Sequence, residues 1–263
     1  MFTAKTYHFA ESLDDAFGLL QKNKTNTILG GCGWLRMTNK RIWTAIDLGR
    51  LGLDQIEETP EAVRLGASVT LRQLETCPAL RGAFGGILPE SVRHIVGVQF
   101  RNMATVGASV FMRAGYSDLC AALLALDASV VLHAGGEIPF AQFLEMPYTR
   151  DILTHVTIRK DGRKAAYESL RLSATDFPVL AVAVSRLGDD WRVSVGARPG
   201  KACRAPEAER QLAAGAWAAA GEAAAHELRF ETNLRGSAQY RRAITPVLVQ
   251  RAVKKLMEGE SGR

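Results

Sequence analysis

Residues 99–109, with the sequence QFRNMATVGAS, form the stretch that most constrains the fold of this chain. Small and polar side chains dominate it, which indicates an irregular backbone with little side-chain cover. The irregular region ends at Ser117 and Asp118. Ser117 suits the N-cap of a helix, and Asp118 suits the positive first turn. We therefore predict a small-residue loop followed by an apolar helix over residues 119–126.

A second glycine-rich segment lies near the start of the chain. A short strand predicted over residues 27–29 leads directly into residues 30–33, GGCG, with Trp34 next. A strand that ends in such a turn directs several backbone N–H groups toward one point, and this nest binds phosphate oxygens. The segment matches neither the Rossmann nor the P-loop fingerprint. On these residues alone, a phosphate-binding loop and a plain turn both stay open.

The rest of the N-terminal part predicts mixed helices and strands. A first helix begins after the N-cap Ser12 and ends near Asn23, with an apolar face between them. Period-2 alternation predicts strands over residues 41–48, 63–69 and 129–133, with a loop from there to about residue 150.

The order of predicted strands and helices changes near residue 163. Strands over residues 165–172, 179–186 and 191–196 are joined by short turns, which is typical of an antiparallel meander. An alanine-rich helix follows over residues 212–226, and an amphipathic helix lies near the C-terminus. Strands followed by helices favour an α+β unit.

Composition excludes several classes of protein. The chain has 263 residues, of which 47% are hydrophobic and 23% charged, as in a folded globular protein. Apolar runs fall short of the ~20 residues of a membrane span, and the N-terminus lacks the apolar core of a signal peptide. We therefore expect a cytoplasmic protein with no membrane partner.

Charge and cysteine usage predict no nucleic acid and no metal. The net charge is +6, but the basic residues are not interleaved with aromatic side chains as in a stacking platform. The cysteines lie at positions 32, 77, 120 and 203, so they form no closely spaced pair. Metal and cluster sites normally need such a pair, and we expect reduced thiols instead.

The two glycine loops together resemble the flavin-binding stretches of one family, the FAD subunits of molybdenum hydroxylases such as xanthine dehydrogenase and carbon monoxide dehydrogenase. The family patterns are close to A-G-G-T-D-L and Q-I-R-N-x-A-T-x-G-G-N, with a Ser-Asp pair beyond the second. Residues 29–34, 99–109 and 117–118 are similar to these patterns in the same order. Residues 237–241, SAQYR, resemble the S-x-x-Y-R stretch near the end of such subunits.

The resemblance implies an α+β fold with a two-part FAD-binding domain over residues 1–162. Its subdomains would cover about residues 1–55 and 56–162. A smaller C-terminal α+β domain with an antiparallel sheet would cover residues 163–263.

The resemblance also implies the cofactor, FAD, and its binding residues. The first loop would give backbone N–H groups to the pyrophosphate, the second would face it, and Asp118 would bind a ribose hydroxyl. Asp118 also has a purely structural interpretation, because a carboxylate stabilises a helix N-terminus. The candidate cofactor-binding residues are Leu29, Gly30, Gly31, Cys32, Gly33, Trp34, Ile95, Thr105, Gly107, Ala108, Ser109, Asp118 and Leu153.

Two departures from the family patterns affect the loops. Cys32 and Gly33 replace the usual Thr-Asp, and Ala108 and Ser109 replace the usual Gly-Asn. The first change removes a hydroxyl and a carboxylate, and the second adds a methyl group near the ligand. Since Ala is small and Ser still forms hydrogen bonds, we expect FAD binding to be weakened but not lost, at roughly 0.5 to 1.5 kcal/mol per lost contact.

The function implied is an oxidoreductase: an electron-transfer flavoprotein subunit with no catalytic side chain of its own. Its partners would be an iron–sulfur subunit and a molybdenum-cofactor subunit, with NAD as a further candidate partner that accepts electrons. Two alternatives stay open: a free-standing FAD-dependent oxidoreductase of the same superfamily, and a non-catalytic subunit that has lost FAD.

Overall fold

The structure is a computed structural model that describes residues 1–261; residues 262 and 263, the end of the predicted C-terminal domain, lie outside the described residues. The strands are β1 (Thr3–Phe9), β2 (Thr27–Leu29), β3 (Arg41–Asp47), β4 (Ile56–Glu58), β5 (Ala62–Gly66), β6 (Ser129–Leu132), β7 (Gly136–Pro139), β8 (Leu153–Arg159), β9 (Lys164–Arg171), β10 (Pro178–Leu187), β11 (Asp190–Gly196) and β12 (Cys203–Arg204). The helices are α1 (Leu13–Lys22), α2 (Leu71–Thr76), α3 (Pro78–Gly82), α4 (Ile87–Val92), α5 (Val98–Arg101), α6 (Val106–Phe111), α7 (Asp118–Ala125), α8 (Phe140–Glu145), α9 (Pro206–Ala213), α10 (Trp217–Glu227) and α11 (Ala238–Ser261), with 3-10 turns at Leu35–Met37 and Ala83–Gly86.

A small parallel sheet opens the chain, with the strand order β1-β3-β2. Helix α1 is capped by Ser12, whose hydroxyl accepts a hydrogen bond from the Asp15 amide at 3.0 Å. Its buried face packs against Ile46 of the central strand. The predicted helix and its cap are therefore confirmed.

Two antiparallel sheets follow, and they confirm the α+β class. The five-stranded sheet has the order β4-β5-β8-β6-β7, and the four-stranded sheet has the order β12-β11-β10-β9. The second is the predicted meander. The strands of the three sheets lie within residues 3–47, 56–159 and 164–204, respectively. The division into domains at residues 55/56 and 162/163 stays a prediction, because one hydrophobic core extends across the second boundary to Tyr167 and Ala181.

Helix α7 is buried on every side, which explains its continuous apolar sequence. Ser117 caps it by accepting a hydrogen bond from the Cys120 amide at 3.3 Å, as predicted. The helix packs between α4 and the strands β10 and β11. It therefore joins the glycine-loop region to the C-terminal sheet.

Three predictions about secondary structure are wrong. Residues 99–109, predicted to be irregular, contain the end of α5 and the first turn of α6, because the Thr105 hydroxyl caps α6 by accepting a hydrogen bond from the Ala108 amide at 3.3 Å; the name second loop is kept for this stretch.

The predicted loop up to residue 150 contains β7 and α8, where Phe140 and Phe143 enter the core. The alanine-rich stretch is two helices, α9 and α10, because Gly215 adopts a left-handed φ of 75° and ends the first helix. Within the described residues, no helix has both the length and the apolar character that crossing a bilayer requires.

The motif SAQYR has a structural role in the C-terminal unit. Arg241 is fully buried in helix α11. Its guanidinium donates to the carbonyl oxygens of Val179 at 2.8 Å, Glu231 at 2.6 Å and Gly236 at 2.5 Å, and to Asn233 Oδ1 at 2.6 Å. One side chain thus fastens the last helix to strand β10 and to the preceding loop.

Replacing Arg241 with Met should lower the free energy of unfolding by about 1–3 kcal/mol or more, since several buried carbonyl oxygens would lose their donor. Urea-induced unfolding measures this change. The matched control is Arg242→Met at the exposed neighbouring position, which should stay within about 0.5 kcal/mol of the parent protein. Equal effects at the two positions would contradict this role for Arg241.

Candidate cofactor-binding site

The two glycine loops lie against each other, backbone to backbone. A Cβ atom placed on Gly31 would lie 1.5 Å from the carbonyl oxygen of Met103, a distance that no side chain tolerates. A Cβ atom on Gly30 would lie 3.0 Å from the Cβ atom of Ala108. The first loop therefore requires glycine at position 31 because the second loop occupies the space that a side chain would need.

The first loop presents free amide donors. The backbone N–H groups of residues 30–34 donate to no acceptor among residues 1–261. Cys32 has a left-handed φ of 56°, and a left-handed residue within a turn turns successive N–H groups inward as an anion-binding nest. Burial raises the pKa of the Cys32 thiol, so this cysteine is a small neutral loop residue and not a reactive thiolate.

The second loop is built differently, because its amides are already used. The Val106 and Gly107 amides donate to the carbonyl oxygens of Val69 and Ala67, both at 2.8 Å. The Ala108 amide donates to Thr105 Oγ1 at 3.3 Å, which caps helix α6. The second loop therefore forms a wall of the site, and the available N–H donors belong to the first loop.

Residues of both loops line a cavity of about 340 Å³. This volume falls in the range of about 300–1,000 Å³ that is typical of small-molecule sites. The structure places all of the candidate cofactor-binding residues on its wall: Leu29, Gly30, Gly31, Cys32, Gly33, Trp34, Ile95, Thr105, Gly107, Ala108, Ser109, Asp118 and Leu153.

Asp118 combines a cavity position with a buried ion pair. Its Oδ1 atom accepts hydrogen bonds from the Tyr167 hydroxyl and the Arg171 guanidinium, both on strand β9. The second carboxylate oxygen, Oδ2, accepts no hydrogen bond from another residue of the described chain. Burial raises the pKa of Asp118 to about 6, although Arg171 favours the charged form. The side chain thus links helix α7 to the C-terminal sheet while one oxygen stays available for a hydroxyl donor.

Other cavity residues were missed by the sequence analysis. Arg150 holds the end of helix α1 through the carbonyl oxygens of Asn23 and Lys24, both at 3.0 Å. Lys40 also lines the cavity, and within residues 1–261 its ammonium group contacts no carboxylate. No local motif marks these residues, because the chain brings them to the cavity from separate elements.

Aromatic side chains also line the cavity. Trp34 stacks on Phe177 with ring centroids 5.7 Å apart, and the ring centroids of Tyr116 and Phe177 are 4.7 Å apart. Phe177 comes from the C-terminal part of the chain, so the site is completed only by the folded whole. Trp34 is thus both a wall residue and part of an aromatic cluster.

The buried Arg101 holds the second loop in place. Its guanidinium donates to the carbonyl oxygens of Ile95 at 3.0 Å and Val96 at 3.4 Å, and it forms an ion pair with Glu75 at 2.8 Å. These contacts explain the arginine at position 101 within residues 99–109.

Comparison with known proteins identifies the family and the cofactor of this chain. The sequence profile described as the FAD binding domain in molybdopterin dehydrogenase matches residues 2–159. The chain belongs to this family. The profile of the CO dehydrogenase flavoprotein C-terminal domain matches residues 165–256. The chain is therefore an oxidoreductase flavoprotein subunit of the molybdenum hydroxylase type, and its cofactor is FAD.

Relatives match most of the chain. The uncharacterized protein YgfM of Escherichia coli strain K12 is 33% identical, covering 81% of this chain and 79% of its own. The nicotine 6-hydroxylase medium subunit of Paenarthrobacter nicotinovorans is 28% identical, covering 94% and 95%. The solved carbon monoxide dehydrogenase of Hydrogenophaga pseudoflava has the same fold, with a TM-score of 0.87 and 24% identity over 98% of this chain and 99% of the matched chain.

The residues present fit FAD. The free amides of the first loop suit a diphosphate, because neutral N–H donors bind its oxygens without a fixed counter-charge. The apolar side chains of Ile95 and Leu153 suit an aromatic ring, and Asp118 Oδ2 suits a sugar hydroxyl.

Replacing Gly31 with Ala should separate the two loops and reduce FAD retention. The added methyl group must displace the Met103 carbonyl, and overpacking of this kind costs about 1–3 kcal/mol. Thermal unfolding and the flavin absorbance of the purified protein measure the two effects. Gly18→Ala in helix α1 is the control, because nothing lies within 4 Å of the added atom. It should raise stability and leave the flavin content unchanged; a yellow, equally stable Gly31→Ala protein would refute the loop contact.

Proposed function

We propose that this chain is the electron-transfer subunit of a molybdenum hydroxylase complex, in which bound FAD carries electrons from the iron–sulfur centres of a partner subunit to NAD or another acceptor. The partners would be an iron–sulfur subunit and a large molybdenum-cofactor subunit. This division fits the scattered cysteines of the chain, which offer no closely spaced pair for a cluster. The substrate would then bind on another subunit.

The free amides of residues 30–34 are the observation that carries this proposal. They give the chain a binding site whose donors are backbone groups, so the chain's own contribution is to hold and orient a prosthetic group. In this proposal the first loop binds the diphosphate, Asp118 binds a ribose hydroxyl, and the aromatic cluster around Trp34 limits access of water to the ring. None of these groups needs to transfer a proton to a substrate.

The relatives support the multi-subunit part of the proposal. One is named a nicotine 6-hydroxylase medium subunit, and another is named a glyceraldehyde dehydrogenase medium chain, from Sulfolobus acidocaldarius, with 24% identity over 95% of this chain. A medium chain belongs to an assembly with other chains.

Purification through an affinity tag on this chain tests the proposal. We expect a yellow protein in a complex that contains iron and molybdenum, with a flavin that NADH or another donor reduces in the absence of the molybdenum substrate. A yellow protein that purifies alone and oxidises NADH would favour the free-standing enzyme. A colourless protein that does not take up added FAD would favour the subunit that has lost its cofactor.

A carboxylate beside the first loop should oppose the diphosphate. Ala108 lies on the cavity wall next to Gly30, so Ala108→Glu would place a negative charge near the diphosphate site. Ala108→Gln has almost the same shape without the charge. We expect FAD to bind at least about tenfold more weakly to the Glu variant than to the Gln variant at low salt, with a smaller difference at high salt. Fluorescence titration with FAD measures both affinities, and equal affinities would place the diphosphate elsewhere.

A further inference from the structure

One face of the first sheet carries aromatic side chains that stay exposed in the described chain. The residues of β1 and β3 that alternate onto this outer face are Thr3, Lys5, Tyr7, Phe9, Arg41, Trp43, Ala45 and Asp47. Helix α1 covers the opposite face. The exposed fractions of Tyr7, Phe9 and Trp43 are 54%, 41% and 48%, respectively. Large rings concentrated on one face mark an interaction surface, whereas a single exposed ring does not.

The outer face continues into the cofactor cavity. Asp47 is paired with Phe9 on one side and with Leu29 on the other, so the three residues form one row across the sheet. Leu29 lines the cavity, and Gly30 follows it immediately. Because neighbouring strands lie about 4.8 Å apart, the aromatic end of this row lies roughly 10 Å from the cavity wall. A partner on the outer face would therefore lie beside the FAD site.

The charge of the outer face selects the kind of partner. Lys5 and Arg41 are exposed on it. The guanidinium carbon of Arg50 lies 4.3 Å from the centre of the Phe9 ring. Asp47 is the acidic residue of the face, and it accepts hydrogen bonds from the Tyr7 hydroxyl and the Gly49 amide. The accessible charge is thus mainly positive, which attracts an acidic surface and disfavours a second copy of the same face.

The aromatic rings argue for a protein partner over a nucleic acid. The Lys5 ammonium lies 3.7 Å from the centre of the Trp43 ring, so the chain's own cation occupies one face of this ring. Tyr7 and Phe9 contact each other edge to face, with centroids 5.0 Å apart. Rings that already pack against cations and each other are poor platforms for stacked bases, but Trp, Tyr and Arg are common in protein interfaces.

We propose that the outer face of the first sheet is the docking surface for an acidic surface of the partner subunit that exchanges electrons with FAD. This inference rests on the proposed function and adds the location and the charge of the contact.

A charge-reversal experiment tests the docking surface. The double variant Lys5→Glu, Arg41→Glu reverses two exposed charges on the outer face. The matched control, Arg251→Glu, Lys254→Glu, makes the same change in charge on the exposed side of helix α11. Each variant is tagged and purified at low salt, and the iron-containing partner that purifies with it is quantified. Separately, biolayer interferometry measures the affinity of each variant for the partner purified from the wild-type complex. The flavin absorbance of each variant shows whether the FAD site is intact.

We expect the outer-face variant to keep its flavin and to bind the partner at least about tenfold more weakly, while the control binds as the wild type does. Trp43→Ala should also weaken binding more than Trp217→Ala, a change at a ring of similar exposure, 45%. Unchanged partner binding by both outer-face variants would overturn the docking surface and leave the proposed function intact. If the wild-type chain forms no complex with an iron-containing protein, the proposed function fails, and the docking surface fails with it.

Discussion

The site depends on the contact between Gly31 and the backbone at Met103. This contact is possible because Gly31 has no side chain. It joins the loop after strand β2 to the turn that precedes helix α6. The first loop follows a strand and Met103 lies between helices α5 and α6, and residues of both loops line the cavity. The position of the first loop, with its free amides, depends on this close approach. A single methyl group at residue 31 therefore acts on the whole site.

The two loops both contain small residues but differ in physical role. The backbone amides of residues 30–34 have no acceptor in the described chain. The amides of residues 106–108 donate to the carbonyl oxygens of Val69 and Ala67 and to the Thr105 hydroxyl that caps helix α6. Residues 30–34 are exposed or half-buried, so their amides are open to solvent and a ligand oxygen can replace water as the acceptor. The first loop is thus prepared for an anion, and the second supplies rigidity. The replacement of Thr-Asp by Cys32 and Gly33 preserves this arrangement, because the donors are backbone groups.

Sequence reasoning predicted the elements that local chemistry determines. Ser12 and Ser117 cap helices where expected, and the glycine-rich turn after β2 and the antiparallel meander lie at the predicted positions, whereas the predicted loop over residues 99–109 is largely helical. It missed strand β1, whose residues are almost all exposed and show no alternation of burial. It also missed the Arg171 partner of Asp118, because the two residues are 53 positions apart and meet only when the C-terminal sheet packs on helix α7. Local sequence patterns therefore predict turns and helix caps, whereas an ion pair between residues far apart in sequence can be identified only from the folded structure.

Hydrogen exchange of the backbone amides with and without FAD tests the central claim most directly. The account predicts that FAD slows exchange in a peptide that spans residues 30–34, where the amides have no acceptor in the described chain, and changes residues 106–109 much less. Bound FAD with unchanged exchange at residues 30–34 would contradict the account, because the diphosphate would then take its donors from another part of the chain.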